Sequence, residues 1–347
     1  MDKISVILPC YNVGKFIDRT LKSILEQTID MNSLEVICVD DASTDDTFEK
    51  LSLWEQKYSD NIAVIKLSSN GRQGMARNVG LEYSTGKYIA FVDADDWLEK
   101  NYLETMYDVA IRGDYDVVQC EFIRDTSNEL VYAKSDDCGD DLYEGDELII
   151  SDDESRKIVF HSKIINNYAH CKLIKRELLV DNNINFTVGL AYEDSYWGVI
   201  LNMYIKRVYI MTKKLYHYYV NQDSTVLTKN TEYHLDLVTN QVLLWNELKR
   251  RNFMERFKDE IEMEHVYSCI LIFWKMIALR YDVPPYSYYR MLCAVVKEHI
   301  PDIMKNPYII NGKLSEEYKL IVMSCFTEMN KDDFYKFAAS VKVIMSK

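Results

Sequence analysis

Over the first 120 residues, short β-branched runs alternate with amphipathic helical stretches, and that alternation leaves few folds open. Ile4 to Leu8, Val36 to Val39, Ile62 to Leu67 and Tyr88 to Val92 read as strands. Residues 15 to 28, with Ile17, Leu21, Ile24 and Thr28 on one face, read as the first helix. A second runs to about Tyr58 behind the capping signal Ser43-Thr44-Asp45-Asp46, and a third spans Gln73 to Tyr83. Strands that are apolar on both sides need cover on both faces, so the pattern predicts an α/β unit around a mostly parallel sheet. Such sheets bind ligands at the carboxyl ends of their strands. Pro9-Cys10-Tyr11-Asn12, Asp40-Asp41 and Asp93-Ala94-Asp95-Asp96 all stand at such ends.

Clustered carboxylates repel one another unless a cation or hydrogen-bond donors hold them. One of the three acids after Val92 has an ordinary explanation, with Asp96 capping a helix from Trp97 to Arg112 that Gly113 closes. Asp93 and Asp95 remain, two apart, placed to reach a divalent metal or a ribose, with capping and a solvated turn as the alternative.

Residues 114 to 160 are less regular and strongly acidic, and read as a solvated excursion with little chemistry of its own. Mixed patterns return from 161 to 228, with a helix around Ser195 to Ile205 and strands near Val208 to Met211 and Leu215 to Val220. Beyond residue 229 the signals are helical: stripes at Leu235, Val238, Val242, Trp245 and Leu248; at Val266, Ile270, Phe273 and Ile277; at Tyr289, Leu292 and Val296; and at Phe334, Phe337, Val341 and Ile344. The organisation expected is an α/β domain over 1–228, with a nucleotide-binding half (1–112) and an acceptor half (113–228), followed by an all-helical C-terminal domain over 229–347. The helical part could also serve homo-oligomer formation.

A formal charge of −14 argues against a general nucleic-acid binder, whose affinity comes from basic groups. The eight cysteines form no C-x-x-C pair and suit a reduced, cytoplasmic protein. No apolar run is long enough to span a membrane, which leaves peripheral attachment open. The segment Gly80 to Lys87 has the wrong spacing and order for a phosphate-binding loop. Dinucleotide, nucleophile-elbow and zinc-ligand patterns are absent.

Five blocks carry a resemblance. Residues 5–12 (Ser-Val-Ile-Leu-Pro-Cys-Tyr-Asn), 39–45 (Val-Asp-Asp-Ala-Ser-Thr-Asp), 74–78 (Gly-Met-Ala-Arg-Asn), 86–96 (Gly-Lys-Tyr-Ile-Ala-Phe-Val-Asp-Ala-Asp-Asp) and 192–194 (Tyr-Glu-Asp) have the order and spacing of the inverting family 2 glycosyltransferases. The resemblance covers about residues 3 to 226. It implies a GT-A fold, a nucleotide-sugar donor, usually a UDP-sugar, and transfer of a hexosyl or N-acetylhexosaminyl group to a glycan, lipid-linked or protein-linked acceptor. In this pattern Pro9 and Tyr11 resemble the wall and stacking surface for the base, beside Asn12. Asp41 resembles the acceptor for the uracil N3 proton, with helix capping as the alternative. Arg77 resembles the arginine near the acidic cluster, with a surface ion pair as the alternative.

Asp93-Ala94-Asp95 then resembles the D-x-D signature, Asp95 binding Mn²⁺ or Mg²⁺ on the diphosphate and Asp93 meeting the ribose or supporting the metal through water. Asp194 matches the catalytic base and Glu193 a group orienting it or the acceptor, where an isolated Glu-Asp would be read as a helix cap. His217, Ser224 and Thr225 are candidates for the donor phosphates or the metal, with a satisfied core group as the alternative for His217, although Val220-Asn221 stands where many relatives carry an arginine. Lys172 is a candidate acceptor contact. The rivals are a catalytically silent sugar-nucleotide or glycan-binding module, and a nucleotidyltransferase, whose glycine-rich basic loop is missing after the first strand.

Overall fold

The computed structural model describes residues 2–127, 129–132, 144–220 and 227–346. These divide into two compact units, Met1–Arg156 with Ile164–Asn221 and Lys157–Lys163 with Gln222–Lys347. In the first unit β1 (Ile4–Cys10), β2 (Leu34–Asp40), β3 (Ile62–Lys66) and β4 (Tyr88–Phe91) lie in the order 3-2-1-4, every neighbouring pair parallel. The helices between them are α1 (Ile17–Leu25), α2 (Thr47–Lys57) and α3 (Arg72–Tyr83). β1 is buried along its whole length, because Val6 and Leu8 meet Ile17, Leu21 and Ile24 of α1 in one core. On the other face Ile37 and Val39 of β2 share a smaller core with Ala76 of α3.

Past β4 the sheet becomes mixed. It continues through β8 (Lys172–Lys175), β6 (Val117–Asp125), β9 (Arg207–Tyr219) and the two-residue β5 (Trp97–Leu98), with β7 (Gly145–Ile149) also paired to β9. β8 is antiparallel to β4 and β6, and β9 is parallel to β6. The remaining helices of this part of the chain are α4 (Tyr102–Gly113), α5 (Asp153–Ser162), α6 (Arg176–Asp181) and α7 (Asp194–Tyr204).

Three expectations from the sequence are corrected here. Asp96 caps no helix: α4 begins at Tyr102, and Trp97–Leu98 is a strand antiparallel to β9. The Asp96 carboxylate instead accepts from the Tyr216 hydroxyl (2.6 Å) and the Tyr219 amide (2.7 Å), partners more than a hundred residues away. The stretch 114–160 is not merely a solvated excursion, since it supplies β6 and β7; residues 133–143 of it lie outside the described residues. The strands expected near Val208 and Leu215 are one 13-residue strand, whose pairing with β6 shifts register around Glu121 and so carries Thr212 to Lys214 through an irregular stretch.

The second unit is helical: α8 (Asp236–Arg250), α9 (Met254–His265), α10 (Ile272–Arg280), α11 (Tyr286–His299), α12 (Pro307–Ile310), α13 (Glu316–Ser324) and α14 (Lys331–Met345). One stretch of π-helix, Val266–Leu271, joins α9 to α10. The stripe Val266, Ile270, Phe273 and Ile277 is fully buried, and Trp274, Tyr289 and Phe334 pack ring against ring. In α8 the buried residues are Leu237, Val238, Asn240, Gln241, Leu244, Trp245 and Leu248, rotated from the expected stripe, because Asn240 and Gln241 take interior places and Val242 is only half-buried. Among the described residues no helix is long and apolar enough to cross a membrane.

Candidate active site

Three residues of α3 hold the segment that leads into α7. A Cβ on Gly74 would collide with the Thr187 carbonyl oxygen, so only glycine lets the helix lie this close. Asn78 exchanges two hydrogen bonds with the Phe186 backbone, each 2.9 Å. Arg77, only 3% exposed, then forks: Nη2 donates to Asp93 Oδ1 (2.7 Å) and Nη1 to Glu193 Oε1. Its guanidinium lies over the Phe186 ring, which stacks on Trp197 of α7. The alternative of a surface ion pair is thereby excluded; one buried cation joins the end of β4 to the start of α7.

Burial alone would push the Asp93 carboxyl up, yet the Arg77 guanidinium and His170 hold it well below the usual carboxylate range. His170 Nδ1 stands 3.5 Å from Asp93 Oδ2, its ring stacked between Tyr168 and Tyr216. The Tyr216 hydroxyl accepts from the Asp93 amide (3.1 Å) while donating to Asp96. Asp96 itself is pushed well up, by burial first and then by the charges of Asp95 and Asp93. The acidic strand end therefore holds carboxyls shifted in opposite directions, Asp93 down and Asp96 up.

Asp194 is the first residue of α7 and is half-buried. Burial, followed by the neighbouring Glu193 carboxylate, pushes its pKa up to about 7, with Arg77 opposing. A carboxylate poised near neutral pH suits a general base. Glu193 is buried and committed to Arg77.

At the end of β2, Asp41 is 2% exposed and its Oδ1 accepts from the Gly71 amide (2.7 Å). Its Oδ2 is buried without a hydrogen-bond partner, as is Oδ2 of Asp40. An orphaned carboxylate oxygen at a strand end can receive a ligand N–H. Burial raises the Asp41 pKa. The neighbouring β1 ends in buried Pro9 and half-exposed Tyr11. Asn12, in the left-handed region at φ 52°, braces the next loop by accepting from the Thr44 amide (2.8 Å).

Other candidates land elsewhere. Ala94 is buried and its carbonyl points to Thr20 (3.0 Å). Lys172 is completely buried, its ammonium donating to Asn166 and to the Tyr168 carbonyl (2.7 Å), and burial brings its pKa down to about 8. That interior setting, with partners already supplied by the chain, corrects the expectation of an acceptor contact. His217 is also buried, stacked on Trp97, its partner across the sheet on β5, and bonded to Glu99 (2.7 Å). That placement corrects its reading as a phosphate or metal contact. Ser224 and Thr225 lie outside the described residues. His170, two residues before Lys172, carries no motif of its own in the sequence; its place is shown only by the rings of Tyr168 and Tyr216 and by Asp93.

Among the described residues no group of three or more His, Cys, Asp and Glu side chains converges as a metal site. Asp93 and Asp95 are hard oxygen donors, and both Asp93 oxygens already face Arg77 and His170, so of the two Asp95 is the residue that would hold a metal directly. Such a sparse set fits Mg²⁺ or Mn²⁺ when substrate phosphates and water complete the shell.

Comparison with known proteins agrees with this geometry. The family model for glycosyl transferase family 2 matches residues 5–181. The Escherichia coli (strain K12) glycosyltransferase YibD is 29% identical over 228 residues, 64% of this chain and 63% of that protein. The poly(ribitol-phosphate) beta-N-acetylglucosaminyltransferase TarS of Staphylococcus aureus (strain Mu50) is 27% identical over 76% of this chain and 44% of its own length. The chain thus spans under two thirds of these relatives. A crystal structure of S. aureus TarS residues 1–349 with UDP-GlcNAc superposes with a TM-score of 0.57 at 19% identity, covering 99% of this chain and 89% of that one. This chain shares the GT-A fold of that structure. With the matched region containing β1 through α6, and Arg77, Asp93 and Asp95 within it, the chain belongs to glycosyl transferase family 2.

Proposed function

We propose that the chain is a metal-dependent, inverting glycosyltransferase that moves a sugar from a UDP-sugar to a hydroxyl of a glycan or glycoconjugate acceptor. The observation that carries this reading is Asp194, a half-buried carboxylate with its pKa near 7, next to the buried Arg77–Asp93–Glu193 cluster. Direct displacement with inversion needs one base on the acceptor side to take the hydroxyl proton. Asp194 takes that proton. Arg77 holds Glu193 and Asp93 in register, so that acceptor and donor groups face one another.

Asp41 Oδ2 accepts the uracil N3 proton, and the exposed Tyr11 ring covers the base. A bound Mn²⁺ or Mg²⁺ would neutralise charge appearing on the departing diphosphate, and Asp95 would hold it. Support comes from relatives: TarS was crystallised with UDP-GlcNAc, and a Pyrobaculum calidifontis mannosyltransferase, TM-score 0.50 at 18% identity, with GDP-Man and Mn²⁺. In this reading the enzyme works in the cytoplasm on surface-polysaccharide or other glycoconjugate precursors.

A panel of nucleotide-sugars, each tested for binding and slow hydrolysis with and without Mn²⁺, tests the reading. One UDP-sugar should stand out in binding and be hydrolysed only with metal present. A silent binding module would bind a donor and release no UDP under any metal or acceptor condition, which would refute the catalytic reading.

A further inference from the structure

Helix α1 buries two faces. Ile17, Leu21 and Ile24 belong to the core, while Arg19, Thr20 and Ser23, with Gln27 just beyond the helix, form a polar stripe that is also buried. Every member of this stripe meets the backbone of residues 94–103. The Thr20 hydroxyl lies between the carbonyls of Ala94 (3.0 Å) and Asp96 (2.6 Å), and Arg19 Nη2 donates to the carbonyl of Asp95. Ser23 Oγ accepts from the Leu98 amide (3.2 Å). Gln27 donates to the Glu99 carbonyl (2.6 Å) and accepts from the Leu103 amide (2.8 Å).

Arg19 is itself fixed. Its guanidinium lies 4.2 Å from the Trp97 ring centroid and 4.9 Å from that of Tyr219, and Nη1 donates to the Ser127 carbonyl (2.8 Å).

From this we infer that the polar stripe of α1, through Arg19 and Thr20, is the positioning device for Asp95. The argument is geometric. The Ala94 carbonyl lies in the peptide plane before the Asp95 Cα and the Asp95 carbonyl in the plane after it. Peptide units are planar, so engaging the Asp95 oxygen through Arg19 and the oxygens on either side through the shared Thr20 proton restrains φ and ψ of Asp95 and with them the direction of its Cα–Cβ bond. Asp93 is held by other means, through Arg77, His170 and Tyr216, so the two acids of the strand end have separate supports. Arg19 engages the Asp95 carbonyl, and the single Thr20 proton is shared between the carbonyls on either side of it.

The inference rests on the metal-assisted reading above, with Asp95 as the direct ligand. Outer groups that orient a metal ligand typically change metal affinity by about 10–100-fold when removed. Thr20→Val keeps the shape of the side chain and removes the hydroxyl; Thr20→Ser keeps the hydroxyl. Calorimetric titration of Mn²⁺ into protein saturated with UDP should show affinity lowered by about tenfold or more in Thr20→Val and within about threefold of wild type in Thr20→Ser. UDP titrated in EDTA should bind all three proteins alike, which a general loosening of the fold would not allow.

If Thr20→Val does not fold, Arg19→Lys, which retains the charge and loses the fork, is titrated in its place, with the same weakening of Mn²⁺ binding expected. A Mn²⁺ affinity unchanged in the folded variant overturns the inference alone. Wild-type protein whose UDP binding ignores Mn²⁺ overturns the metal-assisted reading, and the inference with it.

Discussion

At Arg77 one guanidinium serves two carboxylates that the chain brings from positions 93 and 193. Replacing it by Gln leaves Glu193 buried without its cation and Asp93 with His170 as its remaining side-chain partner. Chemical denaturation at pH 7 should show a loss of about 3–5 kcal/mol, the usual result of breaking a buried ion pair from one side; a loss below about 1 kcal/mol would mean the pair is not buried as described. Asp93 and Asp194 depend on pH with opposite signs. The Asp93 pKa is depressed, so its pairing stabilises the fold above the ordinary carboxylate range and is lost as acid protonates it. The Asp194 pKa is raised from 3.8 to about 7, so between these values the folded state holds a proton that the unfolded state has lost, and stability falls as pH rises through this window.

Asp194→Asn removes that second dependence. Relative to wild type, the variant should gain melting temperature between pH 4.5 and pH 8, and a parallel pair of curves would show that Asp194 ionises normally. The sequence made Asp93, Asp95 and Asp194 visible as acids at element ends. It could not show that Asp41 Oδ2 is orphaned or that Lys172 is buried, because both facts depend on neighbours distant along the chain.

Among the elements, α3 repays attention because its motif of Gly74, Arg77 and Asn78 is a single docking surface for residues 186–193. Gly74→Ala must push the helix off the Thr187 carbonyl and strain the Arg77–Glu193 contact. We expect turnover lowered by at least about tenfold, in line with small misplacements of catalytic groups, with a far-UV spectrum close to wild type; full activity would mean the Thr187 segment yields freely.

The first four strands and three helices were legible because each is apolar with its own period. β5 was not, since two residues have no period and Trp97–Leu98 is a strand only because β9 returns beside it. The polar face of α1 escaped for a similar reason: Arg19 and Thr20 look like solvent-facing residues until the carbonyls of 94–96 are placed against them.

Over the whole molecule, a charge of −14 opposes the approach of an anionic donor. Without metal, raising ionic strength from about 0.01 to 0.15 M shortens the Debye length from about 30 to 8 Å and should strengthen UDP-sugar binding. With Mn²⁺ present that dependence should weaken, and EDTA should lower affinity by about tenfold or more if the cation bridges protein and diphosphate. A metal-free affinity that falls with salt would instead indicate a basic donor site. The overall division into an α/β part and a helical part was readable from where strand signals stop, whereas the transfer of residues 157–163 to the helical unit was not, because that short piece is distant from it in sequence.

The central claim is that Asp194 is the base of the transfer. Its most direct test is the single-turnover rate of Asp194→Asn with the UDP-sugar that wild-type protein uses, measured at saturating donor and acceptor. The account predicts a rate lower by about 10²–10⁴, the range for loss of a general base, with donor affinity little changed. A near-normal rate would contradict it and remove Asp194 from the chemistry.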